Sequence, residues 1–244
     1  MLKSIDKAKL DKYNEHITNL EKLFKSVNIK GTYEQFRLAP CFMLFNFIDL
    51  LRAVAVLDNN HMVTSGSIII RSMFEIILDF LYCETNRKKL YERFGKYKYV
   101  NKVNLYNILP DYLKVDVNKE QYKNITLKEY ESFKKEYNII DKRKLNNWCG
   151  LSIKERVNLV SKISPEIINL YLNIYKITCD YTHPSATTIC EYSELVNKGI
   201  NMSYERKYNM DKYLLIRQVN SMVEIFYNKF NNNYANKKLA EIEF

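Results

Sequence analysis

The stretch Gly66-Ser-Ile-Ile-Ile-Arg-Ser-Met-Phe-Glu-Ile-Ile-Leu-Asp-Phe-Leu-Tyr82 decides the fold. Its apolar residues lie on nearly every side of a helix, which is typical of a helix buried in a core. Polar residues interrupt the pattern at steps of four and form one stripe along the helix: Ser67, Arg71, Glu75 and Asp79. Because buried charges are costly unless they are paired, we expect polar partners for this stripe elsewhere in the fold.

The composition favours a single helical domain. A chain of 244 residues, 47% of them hydrophobic, can bury a sizeable core. Five Gly and four Pro are too few for the frequent turns of a sandwich or barrel. We therefore predict one all-α domain over residues 1–244, a bundle of about seven or eight helices. Its centre should be the helix pair 41–58 and 60–85, and its least regular part should be 111–147.

Local signals place several helix starts. Asn60 is a candidate N-cap for the central helix. The segments Thr126-Leu-Lys-Glu129 and Ser152-Ile-Lys-Glu155 fit the capping-box pattern, in which a hydroxyl and a Glu side chain satisfy the first backbone amides. Thr188-Ile-Cys-Glu191 predicts a short helix that ends near Gly199, and a last helix is predicted over 205–232.

The charge balance points to polyanions as partners. The chain has 38 Lys and Arg against 28 Asp and Glu, a formal net charge of +10, and such an excess favours RNA or DNA. The stretch 87–102 concentrates this charge and carries Tyr91, Tyr97 and Tyr99 between its cations. Cations can contact phosphates and tyrosines can stack on bases. The alternative is a solvated helix face.

Cysteine usage and hydropathy bear on the compartment and on cofactors. The five Cys include no CxxC pair, and no signal peptide is evident, so we expect reduced thiols in a cytoplasmic protein. The spacing of Cys179, His183 and Cys190 fits no common zinc site, and we predict no metal or other cofactor. The longest apolar region, from Ala39 to Leu57, is broken by polar residues, so we expect no membrane partner.

Arg71 admits two interpretations. Its guanidinium could clamp a phosphate or a carboxylate, with Glu75 beside it on the stripe. Alternatively, the stripe is a structural ion pair that fixes the register of an apolar bundle. The order Arg then Glu at a spacing of four is the weaker one for helix stability, so local stability alone does not explain the pair.

His183 is the second candidate. Of the three His residues, only this one lies in a helix-ending turn beside hydroxyl groups, in Thr178-Cys-Asp-Tyr-Thr-His-Pro-Ser185. Pro184 disfavours helical backbone at His183, so the preceding helix should end there. Its imidazole is suited to general acid–base chemistry near neutral pH. The alternative is a charge that caps the helix C-terminus. No G-x-S-x-G elbow and no glycine-rich phosphate loop accompany it.

Two blocks of the sequence together resemble a known family. The blocks are Arg71-Ser-Met-Phe-Glu75, then Trp148-x-Gly-x-Ser-x-x-Glu-Arg156, followed by Tyr171, Tyr175, Thr178 and His183-Pro-Ser185. Over about residues 60–200, the chain is similar to a bacterial family of helical domains of unknown function, often found near phage-defence genes. Where that family tends to have Leu and Ser, this chain has Ile70 and Thr178, and both keep the chemistry.

The pattern is also similar to the HEPN superfamily of helical ribonucleases, which pair an Arg and a His within one helix segment. In that superfamily the two residues are four to six positions apart. No Arg precedes His183 at such a distance, so Arg71 would have to reach His183 across the bundle. The resemblance implies a HEPN-like fold and a homodimer with its site at the interface.

The implied function is a metal-independent endoribonuclease, or an RNA-directed toxin, of an anti-phage (abortive infection) system with a partner protein from its operon. Its catalytic residues would be His183, Arg71 and Glu75. Its substrate-binding side chains would be Tyr175, Thr178, Ser185, Asp79, Arg87, Lys88, Arg93 and Lys96. Two alternatives stay open: a non-enzymatic helical binding or regulatory module, and a sensor that holds an anionic small molecule or nucleotide on Arg71.

Overall fold

The computed structural model describes residues 7–28, 34–114, 122–139, 145, 147–182, 193–196, 199–202, 213–238 and 241–242. The eight helices of at least eight residues in this part of the chain are α1 (Lys7–Ser26), α2 (Ala39–Asn59), α3 (Val63–Glu84), α4 (Arg87–Ile108), α5 (Lys128–Glu136), α6 (Ile153–Val160), α7 (Ile167–Leu170, continuing through the π-helical Tyr171–Tyr175 to Lys176–Thr182) and α8 (Leu214–Tyr234). The predicted all-α bundle is confirmed.

Shorter elements complete the described chain. A 3₁₀ turn, Gln35–Leu38, precedes α2, a helical turn, Asp111–Lys114, follows α4, and a π-helical segment, Tyr122–Leu127, leads into α5. The predicted short helix after Thr188 is wrong, because β1 (Ser193–Val196) and β2 (Gly199–Met202) pair there as an antiparallel hairpin. Leu195, Val196 and Ile200 suit a strand, and Gly199 weakens a helix, so strand pairing outweighs the capping pattern.

α3 lies at the centre of the bundle. It packs against α2, α4, α6, α7 and α8, and its apolar side chains Phe74, Leu78 and Phe80 have no exposed surface. Three residues join α2 to α3, and the two helices contact each other extensively, so the predicted core pair is confirmed. Near the start of α3, Gly66 lets α8 approach closely: a Cβ there would lie 2.6 Å from Leu215 Cδ1.

The helix starts agree only in part with the sequence signals. Ser152 forms the predicted capping box, since its hydroxyl accepts from the Glu155 amide and the Glu155 carboxylate accepts from the Ser152 amide. The N-cap of α3 is Met62 rather than Asn60, whose side chain instead donates to the Val56 carbonyl and so belongs to the end of α2. Thr126 lies inside the π-helical segment.

Two buried polar clusters tie the helices together. In the first, Asp58 of α2 pairs with Lys9 at 2.8 Å and accepts a hydrogen bond from Tyr13 at 2.8 Å, which joins α1 to α2. In the second, the Glu84 carboxylate at the end of α3 accepts from groups on α4 and α8, namely Arg87, Tyr91, Asn233 and Tyr234. Each carboxylate thereby has the paired environment that burial demands.

The second half of α4 and α5 form an arm with a small apolar cluster of its own. Val100, Phe133, Ile139 and Leu145 are buried together there, apart from the main core, while Tyr97 packs on both. α5, Ile139 and Leu145 lie in the part of the chain that the sequence marks as least regular, 111–147, and they share a defined apolar cluster with Val100 of α4.

α2 is the most apolar of the helices, and some of its apolar residues are exposed. The segment Phe36–Asn59 is long and apolar enough to cross a membrane by length and composition alone, and about half of its most apolar window is buried in the bundle. Core helices of soluble proteins meet the same criterion. The expectation of no membrane partner stays a prediction.

Candidate functional site

The polar stripe of α3 is less buried than the sequence predicts. Ser67 is buried, but the Arg71 side chain is 25% exposed and the Glu75 side chain is 40% exposed. The expectation of charges deep in the core is therefore wrong for these two residues. Other helices cover both ends of the polar stripe, at Ser67 and Asp79, but its middle reaches solvent.

Arg71 meets the helix that leads toward His183. Its Nη2 donates to the Tyr175 hydroxyl at 3.2 Å, and its Nε donates to Glu75 Oε1 at 3.3 Å. The guanidinium carbon also lies 5.0 Å from the centroid of the Tyr175 ring, a cation–π contact. The structure therefore brings together three predicted site residues, Arg71, Glu75 and Tyr175.

The surroundings keep Arg71 charged. Partial burial lowers its pKa, but the nearby Tyr175, Cys179 and Glu75 outweigh that effect, so the pKa lies above its ordinary value. The pKa of the Tyr175 phenol is also raised, first by burial, against the opposing influence of Arg71. The pair is thus a cation with a neutral hydroxyl beside it across a wide pH range.

A π-helical turn sets the position of Tyr175. The segment Tyr171–Tyr175 interrupts α7, and such single turns are frequent at functional sites. The rings of Tyr171 and Tyr175 stack with centroids 5.7 Å apart, and Phe74 of α3 lies 5.2 Å from Tyr175. Thr178, another predicted site residue, is fully buried and donates to the Tyr175 carbonyl at 3.1 Å. Its hydroxyl therefore supports the helix.

The C-terminal end of the stripe, at Asp79, has a different environment. Asp79 accepts a hydrogen bond from Trp148 Nε1 at 2.9 Å and forms a short ion pair with Arg156 Nη1. Arg156 is buried, and its Nε has no hydrogen-bond partner among the described residues. Desolvation lowers its pKa despite the nearby Glu75 and Tyr175. Asp79 is thus held in a structural network, which does not favour the predicted substrate-binding role.

Sequence reasoning missed Arg156 as a site residue. It stands 77 positions from Asp79, and no local pattern reports that distance. The available signals were its place behind the Ser152 capping box and its occurrence in the second block of the family resemblance. Those signals marked α6 as important without saying which helix it meets.

The predicted residues His183 and Ser185 lie outside the described residues. α7 is described to Thr182, the residue immediately before His183 in the chain. Cys179, four residues before His183, is close enough to Arg71 to affect its pKa. The predicted contact between the stripe and the His183 turn stays a prediction.

The basic stretch 87–102 makes many contacts within the protein. Arg87 pairs with Glu84 at 2.9 Å, Arg93 Nε donates to the Trp148 carbonyl at 2.8 Å, and Lys96 pairs with Glu136 at 2.7 Å. These contacts favour structural roles for three of the four cations that the sequence assigns to substrate binding. The fourth, Lys88, is exposed on α4.

The remaining features of the described residues are free thiols and a groove, and neither forms a metal centre. Within the described ranges, no group of three or more His, Cys, Asp or Glu side chains could hold a metal ion. Cys41, Cys83, Cys149 and Cys179 are free thiols, and burial raises the pKa of Cys41 to about 11. A groove of about 660 Å³ runs between α7 and α8, and its lining includes Asn173 and Gln218 but not Arg71.

Comparison with known protein families gives a match over most of the chain. The model of a family of unknown function, DUF5677, matches residues 37–202, which include α2 to α7 and the hairpin. This agrees with the resemblance to a helical family of unknown function over about 60–200. No curated protein and no solved structure matches the chain.

Proposed function

The chain belongs to the DUF5677 family, a family of unknown function, and from the α3–α7 site we propose that it is a HEPN-like, metal-independent endoribonuclease or RNA-directed toxin of a bacterial anti-phage system. One observation carries the proposal. Arg71 is charged and partly exposed, and it donates a hydrogen bond to Tyr175, which lies on the helix that leads to His183. RNA cleavage without a metal can use an acid–base residue and a cation that stabilises the charge on the phosphate, and the proposal requires His183 to lie near Arg71.

The proposed reaction is an attack by a ribose 2′-hydroxyl on the adjacent phosphate. His183 takes the 2′-hydroxyl proton and a proton returns to the leaving 5′-oxygen, so that a 2′,3′-cyclic phosphate and a 5′-hydroxyl result. Arg71 stabilises the negative charge that develops on the phosphate, and Glu75 orients Arg71 through the 3.3 Å contact. Tyr175 and Ser185 contribute hydrogen bonds to the substrate, and Thr178 supports the helix that carries Tyr175.

Pre-organisation of Arg71 supports the role of this cation. Its guanidinium is held by a hydroxyl, a carboxylate and an aromatic ring, so little side-chain freedom remains to be lost when a phosphate binds. The same proposal includes that the chain forms a homodimer and has a partner protein encoded in the defence operon.

A non-enzymatic regulatory module is the second candidate. The observation that favours it is the charge balance of the stripe: Arg71 faces Glu75, and Arg156 faces Asp79. A balanced cluster can serve architecture alone. A sensor that holds an anionic ligand on Arg71 is less favoured, because the groove of about 660 Å³ lies between other residues.

The test is cleavage of single-stranded RNA by the purified full chain in the presence of a metal chelator. We expect His183→Ala to slow cleavage by about 10²–10⁴-fold and Arg71→Ala by about 10²–10³-fold. Replacement of the substrate ribose by deoxyribose should abolish cleavage, because the nucleophile is lost. The matched control is Arg217→Ala, which removes an exposed arginine of α8. This variant should cleave RNA as the wild type does.

Two results would overturn the proposal. One is a wild type that does not cleave RNA, and the other is equal cleavage by all variants. The regulatory module instead predicts that His183→Ala lowers the melting temperature and leaves any biological effect of the folded protein intact.

A further inference from the structure

The groove of about 660 Å³ between α7 and α8, which we name the α7–α8 groove, has the size of a ligand site. Three of its lining residues, Leu170, Ile174 and Gln218, are at most 7% exposed and form its floor. Asn169 and Asn173 line it from α7 and are exposed. The groove therefore joins a buried floor to a polar wall that solvent reaches.

Two hydrogen bonds show that α7 and α8 run in opposite directions along the α7–α8 groove. Gln218 Nε2 donates to the Asn173 carbonyl at 3.3 Å. Eleven residues further along the chain, Lys229 Nζ donates to the carbonyl of Ile163, which precedes α7, at 3.5 Å. As the chain advances along α8, its partner on the other side of the groove moves back toward the start of α7.

The two ends of the groove differ in polarity because of this arrangement. Glu166 and Lys229 lie at one end, and the aliphatic Ile177 and Leu214 lie at the other. Between Glu166 and Ile177, α7 rises by about 16 Å. Acidic and basic side chains line the groove in equal number, so the lining as a whole attracts neither polyanions nor polycations.

Gln218 is the polar side chain of the floor, and half of its carboxamide lacks a partner. The Asn173 carbonyl can only accept a hydrogen bond, so it must face Nε2, which fixes the orientation of the carboxamide. Oε1 accepts no hydrogen bond from any residue that the structure describes. A buried acceptor without a donor costs free energy, and native proteins contain few of them. A donor that enters the groove would remove this cost.

We propose that the α7–α8 groove binds a short, uncharged, extended peptide segment of a partner protein. A backbone N–H of the peptide would donate to Gln218 Oε1, and the carboxamides of Asn169 and Asn173 would bond to neighbouring peptide units. An apolar side chain of the peptide would lie against Ile177 and Leu214. The inference goes beyond the proposed function and does not rest on it.

The spacing of the carboxamides fits an extended backbone. Asn169 and Asn173 are four residues apart on α7, a rise of about 6 Å, and alternate residues of an extended chain are about 6.6 Å apart. Each carboxamide offers a carbonyl and N–H donors, which are the partners that a peptide unit needs. Five extended residues span about 16 Å, so a pentapeptide matches the distance from Glu166 to Ile177.

Other occupants match the groove less well. A helical peptide would satisfy its backbone N–H groups internally and leave Gln218 Oε1 without a donor. RNA would bring phosphates to a lining that contains as many carboxylates as cations.

The experiment is an NMR titration of the full chain labelled with ¹⁵N in its glutamines alone. The chain has three Gln residues, and the side-chain amide signal of Gln218 is assigned by its loss in Gln218→Met. The probe is a pool of uncharged pentapeptides capped at both ends, with two aliphatic residues at one end and three Ser or Thr residues at the other, made in both directions. We expect this pool to shift the Gln218 signal. The same pool with a fully N-methylated backbone lacks N–H donors and should not shift it.

Variants of the polar wall test the site without altering its floor. Asn169→Ala and Asn173→Ala should each weaken peptide binding about two- to tenfold. Both should leave the melting temperature unchanged, because the two side chains are exposed. The matched control is Asn158→Ala, which removes an exposed carboxamide of α6 and should bind the pool as the wild type does. These variants keep Gln218, so they decide the matter even if Gln218→Met does not fold.

Three outcomes would overturn the inference. The first is that the peptide pool leaves the Gln218 signal unchanged. The second is equal binding of the N-methylated pool, which would mean that the groove does not recognise a peptide backbone. The third is that a single-stranded oligouridylate shifts the Gln218 signal and the peptides do not, which would identify RNA as the occupant. Cleavage of RNA is measured separately, so either proposal can fail alone.

Discussion

Single residues of the α3 stripe differ in what surrounds them. Arg71 and Glu75 reach solvent and contact α7, whereas Asp79 binds the buried Arg156 and the indole of Trp148. Arg71 and Glu75 are therefore open to solvent beside α7, and Asp79 holds α6 against α3. The two halves should respond differently to loss of charge.

Asp79→Asn should destabilise the protein by about 3–5 kcal/mol, because the Arg156 guanidinium would stay buried without its counter-charge. The Asn side chain can still accept the hydrogen bond from Trp148 Nε1, so the loss of stability reports the ion pair with Arg156. Urea unfolding measures the change. Glu75→Gln is the control, and it should cost at most about 1 kcal/mol because its ion pair is partly exposed. Equal effects of the two substitutions would contradict the division of the stripe.

Two features of the candidate site were visible in the sequence. The stripe is visible from its spacing of four, and Tyr175 from the family resemblance. The burial of Arg71 was overestimated, because an apolar composition does not say which side of a helix other elements cover. Arg156 was missed for a related reason: pairing across 77 positions depends on tertiary packing alone.

Among the elements, the approach of α8 to α3 depends on a glycine. Gly66→Ala would place a Cβ 2.6 Å from the buried Leu215 side chain, and we expect a loss of about 1–3 kcal/mol from overpacking despite the better helix propensity of Ala. At Gly95 of α4 the nearest atom is Phe36 Cβ at 3.9 Å, so Gly95→Ala should stabilise by up to about 1 kcal/mol. Thermal melting of both variants checks this, and a stabilised Gly66→Ala protein would refute the close approach.

Element boundaries followed the sequence where local hydrogen bonds decide them. The Ser152 capping box is complete within four residues and was predicted correctly. The segment near Gly199 was mistaken for helix, because strand pairing between Ser193–Val196 and Gly199–Met202 needs a partner that a local pattern does not show. The π-helical turn at Tyr171–Tyr175 has no sequence signal of its own.

The whole molecule depends on buried phenols to join its helices. Tyr13 lies in the Asp58 cluster, and Tyr91 and Tyr234 lie in the Glu84 cluster. Burial first, and the neighbouring groups second, raise the pKa of each phenol above its ordinary value. The folded protein therefore keeps protons that the unfolded chain loses above about pH 10.

Stability should fall in alkaline solution for this reason. The contribution of these phenols is fully present below about pH 10 and is lost as the pH rises further, by up to about 1.4 kcal/mol per pH unit for each phenol. Urea unfolding at several pH values measures the slope. Tyr234→Phe removes one of the three phenols and should make the dependence of the unfolding free energy on pH shallower by that phenol's contribution. Tyr112→Phe removes an exposed phenol and should leave this dependence unchanged. A Tyr234→Phe slope equal to that of the wild type would contradict this account.

The arm of α4 and α5 has a consequence for how the protein unfolds. Val100, Phe133, Ile139 and Leu145 form a cluster separate from the main core, and Tyr97 is the apolar side chain that packs on both. Cooperativity between two parts of a chain requires contacts that both lose together. The first half of α4 packs on the main core through Leu90 and Tyr91, so only the second half of α4 together with α5 can open while the bundle around α3 stays folded. The molecule then contains two cooperative units of unequal stability. A single two-state midpoint would then describe the bundle and not the arm.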